Sequence, residues 1–160
     1  MQRGRPCIVD NMRLLDTIGS GLQRKGYDVW SVTPDTLVYD AVALMAQKGV
    51  GALVVLSGNK PIGMLSERDY TRKIVLEGRS SKQTAVEQIM STRVICVTPE
   101  NTLEDCMQIM TAHHIRHLPV MEDGRVVGVV SIGDLVNWII SAQEATINQL
   151  HNYISGKYPA

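Results

Sequence analysis

Two short stretches of the chain set a serine three residues before an aspartate: Ser66-Glu67-Arg68-Asp69 and Ser131-Ile132-Gly133-Asp134. A carboxylate just inside a helix N-terminus can accept the paired hydroxyls of a ribose, and it can equally cap the helix. Spacing alone leans towards the cap. Ser66 and Ser131 suit a ribose, a phosphate or an N-cap equally well. Arg116 and His117 precede an apolar stretch, where a guanidinium could grip a phosphate bidentately with the imidazole as an auxiliary donor. Arg68 and, less directly, Arg72 could serve the same anion, although most arginines only solvate a surface. Thr33-Pro34 and Thr98-Pro99 have the form of helix starts, with proline in the first turn.

Other chemistry finds no support. His113, His114 and His117 lack a fourth ligand at a usable spacing and a cysteine pair, so they read as solvated helix-end histidines rather than a zinc site. No G-x-x-x-x-G-K-[ST], G-x-S-x-G or H-E-x-x-H is present, and no nucleophile is paired with an orienting base. Nucleotide hydrolysis is therefore a remote reading, and no metal is implied.

The 160 residues are 44% hydrophobic and 20% charged, the balance of a folded domain or of two very small ones packed together. Sixteen basic residues offset sixteen acidic ones, which argues against a broad footprint on nucleic acid or an anionic membrane. One small anionic ligand remains compatible. Aromatic residues are only 4% and phenylalanine is missing, so the core must be Val, Ile, Leu and Met, and base-stacking platforms are not expected. Cys7, Cys96 and Cys106 form no C-x-x-C pair and suit a reducing compartment, here expected to be the cytoplasm. No secretory leader or membrane-spanning run is visible.

The elements that must position these residues are set by an internal repeat. Shifting the sequence by 65 residues without gaps gives twelve identities between residues 29–76 and 94–141. Ordinary residue usage would give about three. The matches include Val32-Thr33-Pro34 with Val97-Thr98-Pro99, Asp40 with Asp105, Met45 with Met110, Leu53 with Leu118, Gly63 with Gly128, and both Ser-x-x-Asp stretches. Two copies of one unit follow.

Each copy predicts strand–helix–strand–strand–helix. In the first, Val29 to Val32 is extended, and Val38, Ala41, Val42 and Met45 recur at helical spacing over about 35–47. Gly49 and Gly51 end that helix. Residues 52–56 and 62–65 read as a hairpin about Ser57-Gly58-Asn59-Lys60, followed by a helix from Ser66 to about Leu76. The second copy predicts a helix over 103–112, strands over 118–121 and 126–130, and a helix from Asp134. Such a unit is too small to cover its own sheet, so the α/β (α+β) reading packs the two copies sheet to sheet about a pseudo-twofold. The expected organisation is an N-terminal extension with a helix (1–27), repeat one (28–77), a linker (78–92) whose polar stretch Gly78 to Gln83 reads as exposed, repeat two (93–142) and a helical C-terminal extension (143–160). Met12, Leu15, Ile18 and Leu22 supply the helical spacing of the first extension, which Gly19 and Gly21 weaken. Ile140, Ile147 and Ile154 lie seven apart, with Leu150 and Tyr153 beside them. That seam either meets a second copy in a homodimer or folds back on its own domain.

The duplicated Val-Thr-Pro pieces, Ile115-Arg116-His117-Leu118-Pro119-Val120 and the two Gly-x-x-Ser-x-x-Asp stretches (Gly63 to Asp69, Gly128 to Asp134) resemble a tandem cystathionine-β-synthase (CBS) domain pair, or Bateman module. The resemblance covers about residues 28–142. It implies a non-catalytic sensor of adenosine-containing ligands, AMP, ADP, ATP, NAD or S-adenosylmethionine, acting on a regulated protein that the sequence does not identify. In such a pair the Asp serves the ribose and the Thr-Pro turn lies against the adenine. Crossing of the repeats, implied by the family, would put Thr98, Pro99, Ile115, Arg116 and His117 with Ser66, Arg68 and Asp69. Thr33, Pro34, Gly51 and Ala52 would then join Ser131 and Asp134. The first copy departs from the pattern at Val54, where the second has Pro119, and at Gly51-Ala52, where the second has Arg116-His117. The two sites are therefore expected to differ, the one with Arg116 favouring phosphates. A structural dimerisation module with vestigial clefts is the alternative.

Overall fold

The computed structural model describes residues 16–156. Along the chain run α1 (Ile18–Lys25), β1 (Ser31–Val32), α2 (Val38–Lys48), β2 (Ala52–Ser57), β3 (Lys60–Ser66) and α3 (Glu67–Tyr70). After a π-helical turn over Thr71–Val75 and a 3-10 turn over Val86–Gln88 come α4 (Leu103–His113), β4 (His117–Glu122), β5 (Arg125–Ser131) and α5 (Ile132–Ile154). The shift of 65 residues carries α2 onto α4, β2 onto β4, β3 onto β5 and the start of α3 onto that of α5. Met12, Leu15 and Cys7 lie outside the described residues.

The repeated elements share their causes. Helix α2 ends on Gly49 at φ 65°, and α4 ends on His114 at φ 54°, the same left-handed cap made once with glycine and once without it. For a residue with a Cβ that conformation costs about 1–2 kcal/mol. Strand β2 pairs antiparallel with β3, Ala52 facing Ser66 and Val54 facing Met64, with a register shift between Val55 and Leu56. Strand β1 adds to β2 in parallel. Its counterpart in the second repeat is reduced to one parallel bridge, Val97 with Val120, beside the β4–β5 sheet.

Three expectations change. Thr33-Pro34 and Thr98-Pro99 do not start their helices. Each opens a turn closed by a backbone bond, Thr36 N–H to Thr33 O (3.1 Å) and Asn101 N–H to Thr98 O (3.1 Å). Proline thus serves its turn-forming role, and helix begins only at Val38 and Leu103. The helix expected to run to Leu76 widens after Tyr70 into the π-helical turn, where Thr71 Oγ1 donates to Glu67 O. The expected linker is not loop throughout, because its second half packs into the core while Glu87, Gln88, Ser91 and Thr92 stay exposed. Thr84, Val86 and Ile89 are buried, Val38 N–H donates to Thr84 O, and Ser91 exchanges backbone bonds with Met64.

The chain divides into two compact units, each described here by itself. Among the described residues, one gathers 16–25, Thr98–Leu118 and 130–156; the other gathers Gly26–Val97 and Pro119–Val129. In the second, Val38, Ala41 and Met45 of α2 pack with Leu53, Val55, Leu65 and Ile74, and Val86 and Ile89 complete this core. Lys48 adds a cation–π contact over the Trp30 ring.

In the first unit α1 buries Ile18 and Leu22. Ile18 and Gly19 donate backbone N–H groups to Asn101 O and Pro99 O at 2.8 and 2.9 Å. Cys106 is a core residue of α4, and burial, followed by the Asp105 charge, pushes its thiol up to about 11. The expectation that Gly19 and Gly21 only weaken α1 misses their packing. A Cβ at Gly21 would lie 2.5 Å from the Trp138 ring, and one at Gly19 would lie 3.3 Å from Pro99.

Gly21→Ala is a test of sign. Helix propensity alone favours alanine by about 1 kcal/mol. The contact with Trp138 should instead make the variant less stable by about 1–3 kcal/mol, the usual penalty for overpacking. Urea unfolding measures this, and adding Trp138→Leu should recover much of the loss.

Candidate functional site

Both Ser-x-x-Asp stretches form reciprocal capping boxes at a strand-to-helix junction. At the start of α3, Ser66 N–H donates to Asp69 Oδ2 at 2.9 Å while Asp69 N–H donates to Ser66 Oγ at 3.3 Å. At the start of α5, Ser131 N–H donates to Asp134 Oδ2 at 2.8 Å and Asp134 N–H to Ser131 Oγ at 3.1 Å. The capping role read from spacing is therefore real. A carboxylate offers about four lone-pair positions, and the two are engaged unequally: Ser66 Oγ also donates to Asp69 Oδ2 at 2.9 Å and Ser91 Oγ to Asp69 Oδ1 at 3.5 Å.

Each junction is tied to the start of the preceding strand of its own repeat. Glu67 N–H donates to Gly51 O at 3.1 Å, and Ile132 N–H donates to Arg116 O at 2.9 Å. In one unit this gathers Gly51 and Ala52 with Ser66, Arg68 and Asp69. In the other it gathers Ile115, Arg116 and His117 with Ser131 and Asp134. The backbone arrangement is the same, but the first offers small residues where the second offers a guanidinium and an imidazole. Arg68 and Arg116 are exposed, His117 is half-buried and Asp69 is buried. The expected crossing of the sets takes residues from both units, and it is carried forward as a question for mutagenesis.

The Thr-Pro turns are locked differently. Thr33 N–H donates to Thr36 Oγ1 at 3.2 Å, and Thr33 Oγ1 donates to Asp35 Oδ1. Thr98 N–H donates instead to Asn101 Oδ1 at 2.8 Å. Asn101 was legible in the sequence, because it stands three residues after Thr98 as Thr36 stands after Thr33. The Thr33 hydroxyl, followed by the backbone N–H of Asp35, holds the Asp35 carboxyl below its ordinary value.

Two lysines escaped the sequence reading. Lys73 Nζ lies 3.3 Å from Asp69 Oδ1 and also donates to Ile89 O at 2.7 Å. Lys25 Nζ lies 2.6 Å from Asp134 Oδ2. Lys73 could have been suspected from its i,i+4 spacing to Asp69. Lys25 stands 109 residues from its partner, and no local pattern signals it.

Strand starts, capped aspartates and Thr-Pro turns, duplicated at one spacing on this fold, define a tandem regulatory module. The chain belongs to the CBS domain family, whose model matches residues 24–76 and again 86–141. It is 44% identical over 143 residues to "CBS domain-containing protein CBSX3, mitochondrial" of Arabidopsis thaliana, covering 86% of this chain and 69% of that protein. It is 35% identical to CBS domain-containing protein YhcV of Bacillus subtilis, covering 80% of this chain and 84% of that one. A CBS-domain crystal structure from Burkholderia ambifaria MC40-6 superposes with TM-score 0.75 at 46% identity, covering 78% of this chain and 94% of that chain. Tandem CBS pairs are regulatory modules that often bind adenosine-containing ligands. Among the described residues no helix is long and apolar enough to cross a membrane.

The Thr33 turn carries its own acid-sensitive group. Because the folded Asp35 value is depressed, its contribution is full above the ordinary value of 3.8 and is lost as pH falls through the lower folded value. An amide-resolved NMR titration should show Thr33 and Asp35 shifting with a midpoint below 3.8. Asp35→Asn should remove that transition.

Proposed function

We propose that this chain is a non-catalytic sensor that binds an adenosine nucleotide, AMP, ADP, ATP or NAD, and relays occupancy to a regulated protein. One observation carries the reading: in each unit a capped aspartate is hydrogen-bonded through its junction to the start of the preceding strand. Asp69 and Asp134 would accept ribose hydroxyls, Asp69 by exchanging them for its bonds from Ser91 or Lys73. The turns Thr33-Pro34 and Thr98-Pro99 would face the adenine. Arg116, with His117 and Arg68 in support, would bind phosphate by charge-assisted bonds. Ligand would then bias the pose of the helices that carry these groups, α5 among them. A reducing compartment such as the cytoplasm suits the free thiols of Cys96 and Cys106.

A second reading, a dimerisation module, is favoured by α5. Val136, Ile140, Ile147, Leu150, Tyr153 and Ile154 are all exposed on it, and Leu135 is its one buried residue. Ile140, Ile147 and Ile154 fall at one heptad position, with Val136 and Leu150 at the facing one, a two-stranded coiled-coil pattern. Both readings can hold together.

Calorimetry tests the sensor. Arg116→Ala should weaken AMP or ATP roughly ten- to hundredfold, the worth of a charged hydrogen bond, while sparing adenosine. Asp69→Ala and Asp134→Ala, made separately, identify the ribose acceptor of the Arg116 site, because the right one costs adenosine and AMP alike. Sensitivity to Asp69→Ala would support the crossed pairing. No binding of any of these compounds at millimolar concentration overturns the sensor reading.

Light scattering tests the seam. A chain ending at Ser141 should be monomeric or associate more weakly than the full chain. An unchanged oligomer would move the interface off α5.

A further inference from the structure

We propose that Lys25 is a ligand-selecting residue at the site Asp134 serves, favouring phosphorylated over unphosphorylated adenosine compounds. The inference rests on the reading of Asp134 as a ribose acceptor. Lys25 is the last residue of α1, and its ammonium sits 2.6 Å from Asp134 Oδ2, the oxygen that also accepts the Ser131 N–H at 2.8 Å. Its delivery is not accidental. Helix α1 is fixed by the bonds from Ile18 and Gly19 to Asn101 and Pro99, and by the close approach of Gly21 to Trp138.

The same anchors bring α1 against the Thr98-Pro99 turn. The equivalent pair in the first repeat is built otherwise. Lys73 belongs to the same helical turn as Asp69 and is held a second time by Ile89 O. Lys25 instead comes from a separate helix, which ends there and is followed by Gly26 at φ 103°. A ligand reaching Asp134 thus meets an ammonium supplied by a different helix from the one the aspartate caps.

The energetics separate two classes of ligand. A ribose hydroxyl that donates to Asp134 must share or displace the ammonium. With adenosine the displaced charge meets no new anion, so the lost ion pair counts against binding. With a nucleotide the ammonium has a phosphate to turn to, and the loss is offset. Lys25 therefore penalises the nucleoside and leaves the nucleotide nearly untouched.

Calorimetry of Lys25→Met with adenosine and AMP, read at the site that Asp134→Ala abolishes, tests this. The thioether keeps the length of the side chain without its charge. Adenosine should bind about two- to fivefold more tightly, the range of an exposed ion pair, with AMP unchanged within about twofold. Lys25→Arg should keep the wild-type preference, and thermal melting should show both variants folded. If wild type binds both compounds and Lys25→Met leaves their ratio unchanged, the role of Lys25 is wrong while the ribose reading stands. If wild type binds neither compound, both fall.

Discussion

The rest of the structure hangs on the reciprocal bonds between a serine and the aspartate three residues later at each strand-to-helix junction. A strand and a helix have different periods and leave different backbone groups unsatisfied at their ends. The box solves both problems where they meet, letting β3 pass into α3 and β5 into α5 with no intervening loop. With the N–H of the next residue bonded to the carbonyl of Gly51 or Arg116, each junction is tied to the preceding strand at a second point. Side chains at the strand start are therefore placed by backbone geometry rather than by their own packing. That arrangement allows the two repeats to carry Gly51-Ala52 and Arg116-His117 at one backbone position without altering the fold.

Duplication with divergence is the theme that follows. The second repeat keeps every major element but has the poorer first strand, a non-glycine helix cap and, at its strand start, Arg116-His117 in place of Gly51-Ala52. The first has the more continuous sheet and a core completed by Val86 and Ile89 from the segment after it. Scaffold and chemistry are thus unevenly divided between copies of one design.

Much of this was legible in the sequence, and the reasons are local. Apolar residues at Val38, Ala41 and Met45 announce α2, Gly58 announces the hairpin turn, and the repeat transfers each reading to its partner. The candidate site was legible where its chemistry lies in short motifs, as in Ser66 to Asp69 and Ser131 to Asp134. What escaped depends on contacts distant in sequence or on backbone detail. Lys25 reaches Asp134 only because α1 docks through Gly19 and Gly21, and a glycine in a helix reads locally as weakness. The prolines were misplaced by a few residues because a turn and a helix start make the same local demand on φ. The packing of the linker's second half is not legible, because Val86 and Ile89 carry no periodic neighbours to mark them as core.

The helix caps at Gly49 and His114 have a kinetic meaning beyond their geometry. Glycine enters the left-handed region at no steric cost, whereas His114 holds its φ of 54° against the preference of its own Cβ. Both caps are followed by a matching bond, Val50 N–H to Met45 O and Ile115 N–H to Met110 O, each 3.1 Å. Those bonds look equal, but the second is closed over a spring. Local opening at the end of α4 releases strain that opening at the end of α2 does not, so the amide of Ile115 should exchange with solvent ahead of that of Val50. Arg116 follows directly on this strained cap, so any local opening there would carry the guanidinium with it.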